Sequence, residues 1–137
     1  MATANITSGS IERPAAFSAD DGVPLAGVWF EPARAQPSAV IVIVCGAGIP
    51  SRMYYRLARY LAERGAAVLT FDCRGIGASR SGSLRRMTSG MDDWAARDIA
   101  AALAAALAAH PDLPLSAVAH SVGALLLGAA PGAEQVS

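Results

Sequence analysis

The stretch LSAVAHSVGALLLG at residues 115–128 decides how the rest of the chain is interpreted. Its first five residues form a short apolar run after Pro114, which predicts a buried strand. Its second half, from Val122 onward, is apolar and rich in small residues, which predicts a helix packed on a sheet. The turn between them, AHSVG at residues 119–123, follows the strand–turn–helix pattern G-x-S-x-G with alanine at the first position.

This turn predicts that Ser121 is a catalytic nucleophile. The serine backbone is strained in such a turn, and its neighbours must be small, a requirement that Ala119 and Gly123 meet. His120 and Val122 fill the positions between them. The hydroxyl then stands above the sheet at the start of a helix, where the helix dipole favours developing negative charge. The competing interpretation is that Ser121 is only the N-cap of that helix.

Length and composition indicate one domain without nucleic-acid or membrane partners. Of the 137 residues, 53% are hydrophobic and 16% charged, and eleven basic residues balance eleven acidic ones. We expect a flexible segment at residues 1–10 and a packed domain at residues 11–137. No leader pattern opens the chain, and its longest apolar run is too short to cross a bilayer, so a cytoplasmic location is expected. Cys45 and Cys73 lack a metal-binding spacing, so no metal is expected.

The rest of the chain alternates between strand and helix patterns. The predicted elements are, in order, a hairpin of strands at 13–19 and 24–30, a strand at 39–44, a helix at 53–64 with Leu57, Tyr60 and Leu61 on its apolar face, a strand at 67–71, a polar loop at 80–90, a long helix from Met91 that Trp94 and Asp98 hold against the sheet, and the strand at 115–119. Such alternation predicts an α/β fold with a mostly parallel sheet of about five strands, the N-terminal hairpin included. Ligands bind such sheets beyond the carboxyl ends of the strands, where the loops at Gly46, Asp72 and Ser121 would meet.

Four motifs together are typical of one superfamily. They are DGVPLAG at 21–27, CGAG at 45–48 where many members have H-G-x-G, DCRGIGAS at 72–79 matching D-x-R-G-x-G-x-S, and the turn at 119–123. In these motifs the chain resembles the α/β-hydrolases, most closely their bacterial serine-aminopeptidase-like and predicted-hydrolase branch. The last two motifs are specific together, because about 40 residues with one long helix separate them, as in the family.

The resemblance implies a serine hydrolase that transfers an acyl group from a small-molecule ester, amide or thioester to water. Ser121 would attack the carbonyl, and the backbone N–H groups of Ala47 and Val122 would form the oxyanion hole. Neither a cofactor nor a metal is implied. Tyr54 and Tyr55 lie near the predicted site, where they would either line a pocket or pack on one helix face.

The family pattern is incomplete at the C-terminal end of this sequence. Members continue past the serine with strands that carry the triad acid and then the histidine. Fourteen residues follow Gly123 and none is a histidine. His120 would point away from Ser121, and His110 is expected to cap a helix in solvent. We therefore expect a partial hydrolase domain, truncated after the helix that follows Ser121 and inactive alone, since an unactivated serine is a poor nucleophile.

An incomplete sheet has a second consequence. The apolar strand at residues 115–119 would lie at the sheet edge with unpaired backbone groups, so self-association through this edge is expected.

Two other interpretations remain open. A dinucleotide-binding domain would explain a glycine-rich turn at 45–48 after one strand and Asp72 after the next. Against it, Ser51 stands where that motif has its third glycine, and Pro50 intrudes where helix N–H groups should face a phosphate. The other alternative is a non-catalytic half-domain or truncated product.

Overall fold

The computed structural model describes residues 4–7, 9–83 and 89–137. Part of the segment expected to be flexible, residues 1–3 and 8, and part of the predicted polar loop, residues 84–88, lie outside this described range.

The described residues form one mixed sheet. Its strands are β1 (Asn5–Thr7), β2 (Ser10–Ser18), β3 (Pro24–Pro32), β4 (Ala39–Val44), β5 (Ala66–Phe71) and β6 (Leu115–Ala119). Their order across the sheet is β1-β2-β3-β5-β4-β6. The pairs β1·β2, β2·β3 and β3·β5 are antiparallel, whereas β4 pairs in parallel with both β5 and β6. The five predicted strands are present, and β1 is an additional strand within the segment expected to be flexible.

A helix follows each of the parallel strands. They are α1 (Tyr55–Glu63), preceded by a 3-10 turn at Ser51–Tyr54; α2, a continuous helix made of Met91–Asp93, a π-helical turn at Trp94–Ile99 and Ala100–Ala109; and α3 (Val122–Ala129). Short 3-10 turns lie at Gly77–Ser79 and Ala133–Gln135. None of the helices in the described ranges has the length and apolar character needed to cross a membrane.

Both faces of the sheet are covered by helices, which agrees with the predicted α/β architecture. On one face, α2 and α3 pack over side chains of β3, β4 and β5; on the other face, α1 packs over Phe30, Ile43 and Val68. Every residue of β5 is buried. The loops after β4, β5 and β6 therefore meet at one edge, beyond the carboxyl ends of the parallel strands.

The buried face of α1 differs from the predicted one. Ala58 and Ala62 are fully buried, whereas Leu57 and Tyr60 are exposed. Alanine lets the helix backbone approach the sheet closely, so the small residues face the core and two of the larger apolar residues face outward. The spacing of large side chains was therefore a poor guide to the packing of this helix.

Strand β6 is the edge of the sheet, beside β4. Val40 N donates to Pro114 O and His120 N donates to Val44 O, so the backbone groups of residues 115, 117 and 119 point away from β4. Ser137 N and its hydroxyl both donate to Leu115 O at the start of this outer side. The sequence predicted an apolar strand of buried type at the sheet edge; only Leu115 is buried, because an edge strand has one neighbour.

We propose that this edge allows self-association of the chain. Val118, the fourth of the five residues of β6, is 38% exposed, and β6 has no charged residue or proline that would discourage pairing with another strand. Sedimentation velocity over a wide concentration range is expected to show oligomers that Val118→Lys shifts towards monomer. Met53→Lys, which puts the same charge on an exposed methionine before α1, should leave the distribution unchanged. A monomer at every concentration with a sharp, reversible melt would contradict the proposal.

Candidate active site

Ser121 lies on a strained bend between β6 and α3. Its backbone has φ 58° and ψ −132°, and it is the only non-glycine residue with positive φ among those described. Such a conformation costs on the order of 1–3 kcal/mol and persists only where the surroundings impose it. The residue is exposed, and within the described helix its side chain makes no capping hydrogen bond. The N-cap interpretation therefore does not account for this serine.

The strain at Ser121 gives a stability prediction. Ser121→Gly is expected to raise the free energy of unfolding by about 1 kcal/mol, because relief of the strain exceeds the entropy that glycine adds to the unfolded chain. Ser121→Ala keeps the Cβ and should bring no such gain. Urea unfolding followed by circular dichroism measures both variants, and an equal effect of the two would contradict the assignment of strain.

Gly123 lets the bend approach the end of β4. A Cβ at this position would lie 2.5 Å from Cys45 O and 3.1 Å from Val44 O. A backbone hydrogen bond from His120 N to Val44 O at 3.1 Å fixes the same crossing, and one from Gly123 N to His120 O at 3.0 Å closes the turn itself. The small residue two positions after the serine is therefore required by close packing of two backbones.

The glycine loop, residues 45–48, lies beside this bend. Gly46 is buried, while Ala47 and Gly48 are exposed at the sheet edge. Gly46 N donates to Tyr54 Oη at 3.0 Å, and Tyr54 Oη lies 2.7 Å from His120 Nδ1. The structure thus brings the loop, Tyr54 and the residue before Ser121 together.

Tyr55 is not part of this group. Its ring packs against Phe30 at a centroid distance of 5.2 Å, in the core between α1 and the sheet. Of the two tyrosines considered for a pocket, Tyr54 lies at the sheet edge with the site and Tyr55 points into the core.

Asp72, after β5, organises the neighbouring loops. Its carboxylate accepts hydrogen bonds from Ser51 N at 2.7 Å and Ala78 N at 3.1 Å, and the residue is 5% exposed. A ribose could not reach this carboxylate, and the N–H of Gly46 is already donated to Tyr54. Both observations disfavour the dinucleotide-binding interpretation, which needs a free acid and free N–H groups in these loops.

A buried ionic network lies below the loop at residues 72–79, and the sequence alone did not reveal it. Asp98, fully buried on α2, accepts hydrogen bonds from Arg74 N at 2.8 Å and Arg74 Nη2 at 2.7 Å. Arg74 also donates to Asp21, and Trp94 Nε1 donates to Arg74 O. The hydrogen bond from Arg74 lowers the pKa of Asp21, and the two carboxylates, Asp21 first, raise the pKa of Arg74. The sequence signal that could have indicated this network was Asp98, an acidic residue at helical spacing among the apolar residues of α2.

Neither histidine is hydrogen-bonded to Ser121 within the described residues. His120 Nδ1 faces Tyr54, as given above. His110 follows α2, before β6 begins, so the whole of β6 separates it from Ser121, a span of about 16 Å. It was expected to be a solvated cap, but its ring packs on Trp29 at a centroid distance of 5.4 Å, and its side chain is largely buried.

Both cysteines line a small apolar cavity of about 20 Å³ beside the glycine loop, together with Ile76, Trp94 and Leu126. Burial raises the pKa of the Cys45 thiol to about 12 and also raises that of Cys73. The two groups are therefore neutral thiols at pH 7, unsuited to act as nucleophiles. The described part of the chain contains no cluster of three or more potential metal ligands.

The strand order, the bend at Ser121 and the two flanking loops define an α/β-hydrolase fold. The family model described as "Serine aminopeptidase, S33" matches residues 35–132, and the chain belongs to this family. No curated protein matches the sequence significantly.

Solved structures of esterases share this fold. A cold-adapted esterase from an Arctic intertidal metagenomic library has a TM-score of 0.72 and 18% identity, with 98% of this chain and 61% of that one covered. An esterase from Pyrococcus furiosus has a TM-score of 0.66 and 21% identity, covering 84% and 44%. A thermostable carboxyl esterase from Bacillus coagulans has a TM-score of 0.66 and 21% identity, covering 86% and 39%. The chain thus spans less than two thirds of each of these proteins.

Proposed function

We propose that this chain carries the nucleophile and the oxyanion hole of a serine hydrolase that acts on small-molecule acyl compounds, esters above all. The observation that carries the proposal is the strained backbone of Ser121, an exposed residue at the carboxyl edge of the sheet. Strain of this kind is maintained at functional sites, where it fixes a reacting group in place. Esters are favoured over amides and thioesters because three solved neighbours are described as esterases.

In the proposed reaction, Ser121 Oγ attacks the acyl carbonyl while its proton passes to a base. The N–H groups of Val122 and Ala47 stabilise the oxyanion, the alcohol leaves, and water hydrolyses the acyl-enzyme. Val122 is the first residue of α3, and a first-turn N–H has no partner inside its own helix. Ala47 is exposed in the glycine loop, beside the bend. The mechanism requires no cofactor or metal.

The base must come from outside the residues of this chain. His120 is engaged with Tyr54, and His110 lies at the opposite edge of the sheet. The chain alone is therefore expected to have little activity, limited to what the oxyanion hole and binding can supply. Balanced charge favours a small acyl substrate over nucleic acid or a membrane surface, and a cytoplasmic location is part of the proposal.

Imidazole rescue of serine labelling tests this function. The chain is incubated with a fluorophosphonate probe at neutral pH, with and without added imidazole as a substitute for the missing base. Labelling is expected to be slow without imidazole, to increase with imidazole concentration, and to be lost in Ser121→Ala. Ser116→Ala, which changes another serine of the same β6–α3 segment, should label like the parent chain.

Three other outcomes of the labelling experiment would contradict parts of the proposed function. Labelling that persists in Ser121→Ala would place the nucleophile elsewhere. Rapid labelling without imidazole that is lost in His110→Ala or His120→Ala would show that the base lies within this chain. No labelling of the folded chain under any condition would favour the non-catalytic half-domain.

A further inference from the structure

We propose that Tyr54 is a positioning residue that locks the glycine loop, residues 45–48, to the bend at Ser121 through His120. This inference rests on the proposed function, because it assigns Tyr54 to the geometry of the oxyanion hole. The two N–H groups proposed for that hole lie on different segments, one on the loop and one on α3. Their separation must be held constant for both to bind one oxygen atom.

Tyr54 contacts both segments with one atom. Its Oη accepts the N–H of Gly46 at 3.0 Å, and the same oxygen lies 2.7 Å from His120 Nδ1. Gly46 directly precedes Ala47 in the loop, and His120 directly precedes Ser121. Each contact is therefore one residue away from a group with a proposed chemical role.

We infer the direction of the bond between Tyr54 and His120. The phenol oxygen accepts from Gly46 N, and in this inference it donates its single hydrogen to His120 Nδ1. With this direction, Nδ1 is the unprotonated ring nitrogen, and the proton of a neutral ring lies on Nε2. The arrangement thus predicts one tautomer of His120.

Packing supports the same contact. The Tyr54 and His120 rings meet edge to face at a centroid distance of 5.9 Å. A Cβ at Gly46 would lie 3.3 Å from His120 Nδ1, so the imidazole is packed directly against the loop backbone. Tyr54 itself ends the 3-10 turn at Ser51–Tyr54, whose first N–H is held by the buried carboxylate of Asp72. The hydroxyl is therefore presented from an anchored segment.

Nitrogen-15 NMR of the imidazole ring tests the bond without any need for activity. The parent chain is expected to show the Nε2–H tautomer of His120, with Nδ1 at the chemical shift of an accepting nitrogen. Tyr54→Phe removes only the hydroxyl and should give a mixture of tautomers, whereas Tyr60→Phe, at an exposed tyrosine on α1, should not. An unchanged tautomer in Tyr54→Phe would overturn the proposed bond.

The imidazole-assisted labelling rate of Ser121 tests the positioning role. Tyr54→Phe is expected to lower this rate about tenfold, the effect of losing one ordinary hydrogen bond, and Tyr60→Phe to leave it unchanged. His120→Ala combined with Tyr54→Phe should lower it no further than either change alone, since both remove the same bond. Additive losses, or an unchanged rate in Tyr54→Phe, would overturn the positioning role.

The two experiments separate this inference from the proposed function. If the parent chain is never labelled at Ser121, the proposed function fails and the positioning role fails with it, while the NMR result alone decides whether the bond exists. If the parent chain is labelled and Tyr54→Phe matches it, the function stands and the role of Tyr54 is refuted.

Discussion

Replacing Asp98 by alanine is expected to lower the free energy of unfolding by about 3–5 kcal/mol. Asp98 is 0% exposed, and it receives the main-chain N–H of Arg74 together with two guanidinium nitrogens. Without it, Arg74 keeps its charge in a buried position with Asp21 as its remaining carboxylate partner among the described residues. Removing one member of a buried pair is costly because the other charge is left without its compensation.

Urea unfolding followed by circular dichroism measures this loss. Asp92→Ala is the matched control, because it removes an exposed carboxylate from the first turn of the same helix and should cost less than about 1 kcal/mol. Asp98→Asn retains an acceptor for Arg74 N, so its loss of unfolding free energy should lie between those of Asp98→Ala and Asp92→Ala. Equal losses for Asp98→Ala and Asp92→Ala would show that the network contributes no more than a surface charge does.

The combination Asp98→Leu with Arg74→Met adds a second test of the same network. Replacing both charges by apolar side chains avoids the isolated ion and should recover much of the loss seen for Asp98→Ala. Recovery cannot be complete, because Asp98→Leu leaves the main-chain N–H of Arg74 without its acceptor, although the indole N–H of Trp94 keeps its bond to Arg74 O.

The network shows what local sequence patterns could and could not predict. The run at residues 39–44 predicted β4 correctly because a strand buried on both faces must be continuously apolar. Arg74, Asp98 and Asp21 come together from positions separated by 24 and 53 residues, and no periodicity encodes such a meeting. The contact between Tyr54 and His120 spans 66 residues and was missed for the same reason.

Errors in the sequence analysis arise where packing overrides local preference. β1 has no apolar alternation of its own and forms because its residues pair with β2, from Asn5↔Glu12 to Thr7↔Ser10. The buried face of α1 was assigned to large side chains, but alanine permits the closest approach of helix and sheet. By contrast, the motif at residues 119–123 predicted a tight bend from two small residues, and the backbone at Ser121 has the strained conformation that such a bend requires.

Gly123→Ala is expected to destabilise the chain by about 3 kcal/mol, at the upper end of the usual cost of overpacking. The added Cβ would meet Cys45 O at 2.5 Å and Val44 O at 3.1 Å, which are main-chain atoms rather than flexible side-chain ends. β4 cannot retreat, since it is bonded to β5 on one side and to β6 on the other. The clash must therefore be relieved by moving α3 and the bend away from the glycine loop.

That movement should also impair the site. A displacement of about 1 Å between reacting groups can cost about 100-fold in rate, so imidazole-assisted labelling of Ser121 is expected to fall by this factor in Gly123→Ala. Gly128→Ala is the matched control on the same helix, where a Cβ would meet nothing within 4 Å. There alanine should stabilise the helix by about 0.5–1 kcal/mol and leave labelling unchanged. If alanine destabilises the chain at position 123 but stabilises it at position 128, the steric constraint lies where α3 crosses β4. Changes in stability of the same sign at both positions would exclude this explanation.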